Sequence, residues 1–367
     1  MNLKCKKKSY SIFLWIVLPL LLYLCYVQIA RREVSDTHFV EIFCIDYTDN
    51  HYHITGFYDN AASKDNNGFQ MIDGYGASVY SAYTDMSRKN SKDISLDHTA
   101  YFMLSETAAS YGLEHCLDFI SREPDMKTNA KVYILKTRDA NGLLEKAMEE
   151  KFSLSETLDS ITNKQSNNLK KPMNTLLQVY NNMEHKDNSL LLPYLVYEDK
   201  TMYLEGYATF KNGKLYRYLN YELSLFIDLF RNNIRTCPLE LKPEMCVELF
   251  NIESTPQVNV TKDTLNIEIK VKADSTVKEA ANTAYVFEQQ NRNQLSELER
   301  KKLTENLMEI ITLMKQEKLD LLNIGFELDK KADTLPVNRT WDSYLNHLRV
   351  TFTLDMDTAK TYILETD

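Results

Sequence analysis

The sequence predicts an α+β protein: a multidomain body of mixed α/β segments with mixed sheets, behind one amino-terminal transmembrane helix. Three observations lead there. Ser11 to Ala30 is a run of twenty residues without a charge. Strand-like and helix-like segments then interleave through the first half of the remainder, the pattern of an α/β region. The last third opens on a strictly alternating segment and continues into a long helical pattern.

The apolar run comes first. At about 1.5 Å per residue it spans the roughly 30 Å of a bilayer's hydrocarbon. Lys4, Lys6, Lys7 and Lys8 precede it. They predict a cytoplasmic amino terminus and an exported remainder, and Arg31 and Arg32 weaken that asymmetry without reversing it. Three fates compete for the segment. A cleaved signal needs small residues at −1 and −3, where Ala30 fits and Gln28 does not. A lipoprotein signal needs a small residue before its cysteine, whereas Cys25 follows Tyr23 and Leu24. An uncleaved anchor needs neither and is the reading adopted. The division is a basic cytoplasmic terminus (1–10), the anchor (11–30), an amino-terminal α/β domain (31–195) and a carboxy-terminal α+β domain (196–367), with a further boundary near 250.

Beyond the anchor, "THFVEIFCIDYTDNHYHITGFY" reads as a hairpin turned at Asp49-Asn50, its first strand apolar on both faces and so central in a sheet. "KDNNGFQMIDGYG" reads as loop. "ASVYSAYTDMSRKN" places Val79, Tyr80, Tyr83 and Met86 on one helical face. "TAYFMLS" is a short strand. Ser105 is positioned to cap "ETAASY", which stops at Gly112. A second helix carries Leu113, Cys116, Leu117 and Ile120 at core spacing and ends before Pro124. "AKVYILK" is another strand. Residues 138–188 are mostly helical, with a polar link "NKQSNNLKKP". Strands return in "LLLPYLVYEDKTMYLEGYATFKNGKLYRYL", with turns at Glu198 to Lys200 and at Asn212-Gly213, followed by a helix in "YELSLFIDLFRNN". "VNVTKDTLNIEIKVKA" alternates across Leu265, Ile267, Ile269 and Val271. A long helix covers Gln294 to Lys318, "LDLLNIGFELDKK" reads as a strand, Trp341 to Leu348 as a short helix, and "RVTFTLDM" as the closing strand. The tail is thus a sheet covered on one face by helices.

Composition bounds the function. The formal charge is −9, from 43 Lys and Arg against 52 Asp and Glu. With the lysine cluster committed to the leader, no basic stripe remains for nucleic acid, and that class is excluded. No P-loop, dinucleotide fingerprint or kinase set occurs, and no cofactor is expected. The cysteines form no CxxC and have no nearby histidine for a zinc cluster. Cys237 and Cys246 have the spacing to pair across "CPLELKPEMC", or Cys44 with Cys116; buried free thiols are the alternative.

"DHTAYFMLSETAASYGLEHCLDFISREP" holds His98, Ser105 and Asp118, the residue types of a nucleophilic triad. Ser105 lacks the flanking glycines of a nucleophile elbow, and its place between strand and helix suits a cap. An exported, anchored hydrolase using Ser105 and His98 is the alternative function to weigh. His51 and His53 fall on one side of a strand, with Asp49 near, but the sequence identifies no third convergent metal ligand, and a surface strand accounts for them. Asp355 with Asp357, and Glu149 with Glu150, read as solvated acids. Asp118, Arg122 and Asp125 read as an ion-paired helix end. No catalytic, cofactor or metal site is therefore assigned.

The same stretch, continued through "DMKTNAKVYILK", resembles the core signature of the Ger(x)C family of spore germination proteins. That signature is a histidine before an apolar strand, a Ser-Glu, a glycine-ended helix, an Asp-Phe and an Arg-Asp-Pro, here Arg122-Glu123-Pro124. "RREV" (31–34), the hairpin "PYLVYEDKTMYLEGYATFKNGKL" with its Gly-x-Ala-x-Phe-Lys, and the tail "MKQEKLDLLNIGFEL" through "VTFTLDM" continue the likeness in order. The resemblance implies a C-type subunit of a nutrient germinant receptor on the outer face of the spore inner membrane. It implies membrane-embedded A- and B-type subunits as partners, a nutrient small molecule as a further one, and no known enzymatic activity. Family members carry a lipidated cysteine closely followed by the arginines. Cys25 is the corresponding candidate here, six residues before Arg31 and without a small residue before it.

Overall fold

The computed structural model describes residues 17–21, 23, 37–59, 69–124, 126–150, 152–172, 174–183, 190–261, 264–280, 289–329, 344–345 and 347–358. Val17 to Leu21 and Tyr23 are helical. The remainder of the expected 11–30 anchor, including Cys25, lies outside the described residues, as do Cys5 and the "RREV" segment. Among the described residues no helix is long and apolar enough to cross a membrane.

The first sheet begins with the expected hairpin, β1 (Thr37–Thr48) and β2 (His51–Asp59). Asp49 and Asn50 both take positive φ (53° and 60°), the backbone of a tight two-residue turn. The strand β3 (Phe69–Gly76) pairs antiparallel with β2, where the sequence reads as loop. Its glycines explain the misreading. A Cβ on Gly74 would sit 2.2 Å from the carbonyl oxygen of Ala82, so the bare backbone is what lets α1 (Val79–Lys89) lie against the strand. On α1 the buried face is Val79, Ala82 and Met86; Tyr80 is exposed and Tyr83 half-buried, a narrower stripe than expected.

The short β4 (Asp93–Ser95) and β5 (Tyr101–Ser105) both run parallel to β1. Two helices follow, α2 (Glu106–Tyr111) and α3 (Leu113–Arg122), broken at Gly112. Then come β6 (Lys131–Leu135), α4 (Ala140–Glu149), α5 (Leu154–Asn168) and α6 (Leu176–Met183). The link read in "NKQSNNLKKP" is helical through Asn168, its polar residues forming the solvent side of α5. The sheet closes with β7 (Leu191–Glu198), β8 (Thr201–Lys211) and β9 (Lys214–Leu219), joined by turns with positive φ at Asp199-Lys200 and Asn212-Gly213.

Its strand order is β3-β2-β1-β5-β6-β7-β8-β9, with β4 beside β1. The run from β1 to β7 is parallel and both flanks are antiparallel, the mixed pairing expected. β5 is buried along its whole length, as a strand covered on both faces must be. One face packs against α1, α2, α3 and α6, the other against α4 and α5.

The second sheet holds β10 (Cys237–Lys242), β11 (Met245–Thr261), β12 (Thr264–Ala280) and β13 (Leu348–Thr358) in that order, with β13 parallel to β12. Leu265, Ile267, Ile269, Val271 and Ala273 of β12 face a core shared with α7 (Tyr221–Phe230) and α8 (Gln289–Glu317). The other face carries ion pairs such as Lys278–Glu248 at 2.9 Å. The segment "LDLLNIGFELDKK" is not a strand. Asp320 is fully buried, and its carboxylate accepts the backbone N–H groups of Ile324 (2.9 Å) and Gly325 (2.6 Å), starting a helical turn, α9 (Ile324–Asp329). Of the helix expected at 341–348, Tyr344 and Leu345 are helical and Trp341 lies outside the described residues.

The four described cysteines are free thiols. Cys237 lies opposite Leu249 and Cys246 opposite Glu240, so the two are offset along the hairpin. Cys44 and Cys116 belong to the cores on opposite faces of the first sheet.

Candidate functional site

The triad residue types are not brought together. Ser105 is fully buried at the end of β5. Its hydroxyl accepts the N–H of Ala108 at 3.1 Å, capping α2, and lies 2.9 Å from the Thr107 hydroxyl. His98 is exposed at the opposite end of the strand, against the ring of Phe39 at 4.6 Å. Four strand steps of about 3.3 Å separate the two ends by roughly 13 Å. Asp118 is on the surface of α3, where Arg122 grips it at 2.8 Å and holds its carboxyl below the usual range. Asp125 lies outside the described residues.

The acid beside Ser105 is Asp46. This buried β1 carboxylate accepts the N–H groups of Ala140 (3.3 Å) and Asn141 (2.9 Å) at the amino terminus of α4. Burial raises its pKa; the Ser105 hydroxyl and the two helix amides lower it. The cluster ties helix starts to strand ends. Glu106, the second residue of the Ser-Glu pair, accepts the Tyr218 hydroxyl at 3.3 Å and so links α2 to β9.

His51 Nδ1 faces the carbonyl of Asp49 at 2.9 Å, whereas His53 stacks on Tyr75 at 4.0 Å and meets Asp73 at 3.4 Å. Among the described residues no group of three or more His, Cys, Asp or Glu is placed to hold a metal ion. Glu150 accepts the Tyr197 hydroxyl at 2.7 Å, and Asp355 pairs with Lys272 at 3.9 Å.

The feature the sequence reading missed is a cavity of about 380 Å³ between α5, β8 and α7. Ile161, Leu204, Leu225 and Ile234 give it an apolar wall, and the exposed Lys164 and Tyr221 stand at its outer side. Its polar lining includes Gln165, Asn168, Ser224, Tyr207 and Asp228. Gly206 lets β8 pass the end of β9: its φ is 153°, and a Cβ there would meet the Leu219 carbonyl oxygen at 2.2 Å. The next residue, Tyr207, donates its hydroxyl to Asp228 Oδ2 at 2.8 Å. Asp228 Oδ1 is buried without a hydrogen-bond partner, as is the Asn233 amide nitrogen. Burial pushes the Asp228 carboxyl up to about 6, against the opposing pull of the Tyr207 hydroxyl, Arg231 and Asn233. The signal that finds this residue is its setting. It is the one acid in Ser224–Phe230, a run buried at every position, and such an acid needs a partner.

The model of the spore germination protein N-terminal domain matches residues 30–197. That of the spore germination B3/GerAC-like C-terminal domain matches residues 205–361. A solved structure described as the crystal structure of the GerBC protein has the same fold, with a TM-score of 0.54 at 14% identity, over 87% of this chain and 97% of that one. No curated protein matches the chain. Two family models in order over almost the whole length bear out the resemblance read from the motifs, and the chain belongs to the GerAC-like, or Ger(x)C, family of spore germination proteins, the C subunits of germinant receptors.

Proposed function

We propose that this chain is a non-catalytic, membrane-anchored subunit of a spore nutrient germinant receptor, acting with membrane-embedded A- and B-type subunits to trigger germination. The observation that carries the reading is the uninterrupted order of the two germination domains from residue 30 to 361, directly behind an uncharged run of twenty residues. Such a run is long enough to span hydrocarbon, and the lysines before it orient the body to the outer face, that of the spore inner membrane. Cys25 is the residue that would take a lipid if the anchor is processed instead. In this reading the body divides near 195, with the second portion beginning on the β7–β8 hairpin.

The hydrolase alternative finds no support in the geometry, since Ser105 is a buried helix cap and His98 stands at the far end of the strand. The receptor reading is tested by deleting the chain from the spore-former that carries it, in a background cleared of paralogues. Loss of the response to one class of nutrient is the expected result. Spores that still respond normally to every nutrient trigger tried would overturn it.

A further inference from the structure

We infer that β13 pairs with the β13 of a second copy of this chain, antiparallel and centred on Phe352, so that two four-stranded sheets become one continuous sheet. β13 runs parallel to β12 over eleven residues without a register shift, and among the described residues no strand lies on its other side. At about 3.3 Å per residue it offers roughly 36 Å of edge. The Leu265 N–H donates to the His347 carbonyl, so in this parallel ladder the odd-numbered residues of β13 bond to β12. Val350, Phe352 and Leu354 then turn their N–H and C=O groups outward. Such an edge is a template for a further strand unless it is blunted. The opposite edge strand, β10, is blunted: it has six residues, carries Pro238 and Lys242, and shifts register between Glu240 and Lys242. Beyond the end of β10, β11 carries Pro256. β13 has no proline, lysine or glycine.

The sequence of β13 is complementary to its own reverse. Centring on Phe352 sets Val350 opposite Leu354, Thr351 opposite Thr353 and Arg349 opposite Asp355. Even-numbered residues meet even-numbered ones, so the outward N–H and C=O groups face each other, as an antiparallel ladder requires. The faces match as well. Val350, Phe352 and Leu354 lie in register with Ile267, Ile269 and Val271, on the core side of the sheet. The two-fold axis of an antiparallel pair stands perpendicular to the sheet, so both apolar faces fall on one side. Val350 and Phe352 are only half-buried, with Phe352 edge-on to Phe230 at 6.0 Å, and the partner's Phe352 and Leu354 are the groups that complete their cover. On the water side Arg349 and Asp355 are exposed, and the seam sets each against its opposite charge, twice per dimer.

This pairing goes beyond the receptor reading and is measured on the purified full chain in detergent, by sedimentation velocity over a concentration series and by hydrogen exchange with mass spectrometry. A reversible dimer is expected, with exchange in residues 348–356 slowing as it forms. R349D and D355R each turn both attractive pairs repulsive and are expected to weaken the dimer at least about tenfold. The double variant R349D/D355R restores opposite charges across the seam and is expected to recover the wild-type affinity. Both positions are exposed, and the rescue separates a lost contact from a damaged fold. A monomer at every concentration, a dimer that leaves exchange at 348–356 unchanged, or single variants that do not weaken the dimer or are not rescued by the double one overturns the inference. Protection of 348–356 that appears only on adding the membrane-embedded subunits would give the edge to another protein and likewise overturn it. The isolated chain is what is read, so failure of the receptor reading leaves this test intact, and a monomer leaves the receptor reading intact.

Discussion

Replacing Glu299 by glutamine removes a charge for which the fold offers no partner. Glu299 lies on α8, fully buried, and neither carboxyl oxygen completes a hydrogen bond. Ser275 on β12 is the polar group beside it, and its own hydroxyl is likewise unpaired. Burial pushes the carboxyl up from its ordinary 4.5 to about 7, and Ser275 offsets only part of that. The unfolded chain releases this proton near 4.5 and the native protein near 7. Between those values the native state binds more protons, so its stability falls as pH rises. The contribution is complete below 4.5 and lost on passing through 7. At about 1.4 kcal/mol per pH unit the loss is about 3 kcal/mol. The assay is urea unfolding of the full chain and of Glu299→Gln in detergent, followed by circular dichroism at about pH 4 and about pH 8. The expected result is that the variant gains about 3 kcal/mol relative to wild type between the two conditions. A fixed cost of burying the amide cancels in that difference, as do other titrations. A change under about 1 kcal/mol would show that Glu299 is solvated or paired in the native state and refute the reasoning.

Other outcomes follow from the same geometry. Ser105→Ala should cost about 1 kcal/mol of stability through the lost α2 cap and leave the germination response intact once folded; loss of response in a stably folded protein would revive a chemical role. Gly206→Ala should destabilise by about 2–3 kcal/mol, because its φ of 153° and the Leu219 carbonyl both exclude a Cβ, and a neutral effect in thermal unfolding would contradict the β8–β9 packing. Of the four described cysteines, native iodoacetamide labelling mapped by mass spectrometry should find Cys246 first. Cys44, Cys116 and Cys237 are buried, and burial pushes the Cys116 thiol up to about 12. Early labelling of Cys116 would mean that α3 opens readily.

Legibility followed how local the cause was. The hairpins at Asp49-Asn50 and Asn212-Gly213, the Ser105 cap and the stop at Gly112 rest on neighbours within a few residues, and the sequence displays them. The alternation of β12 was equally plain, since one face meets a core and the other water. Failures came where a distant element decided. The Gly74 region reads as loop until α1 is seen lying on it. The run Leu319 to Leu322 reads as a strand because all-round burial erases periodicity, and a buried Asp320 turns it into a helix start. The cavity escaped for the same reason, since Asp228 and Tyr207 are far apart in sequence and meet only through the packing of α7 on β8.

Whether the chain is an anchored receptor subunit that works through its partners is decided by isolating it from spore inner membranes in mild detergent and identifying what comes with it. Two integral-membrane subunits recovered with the full chain, and lost when residues 11–30 are removed, are the expected result. Recovery of the intact chain from the lipid-free soluble fraction, alone, would contradict it.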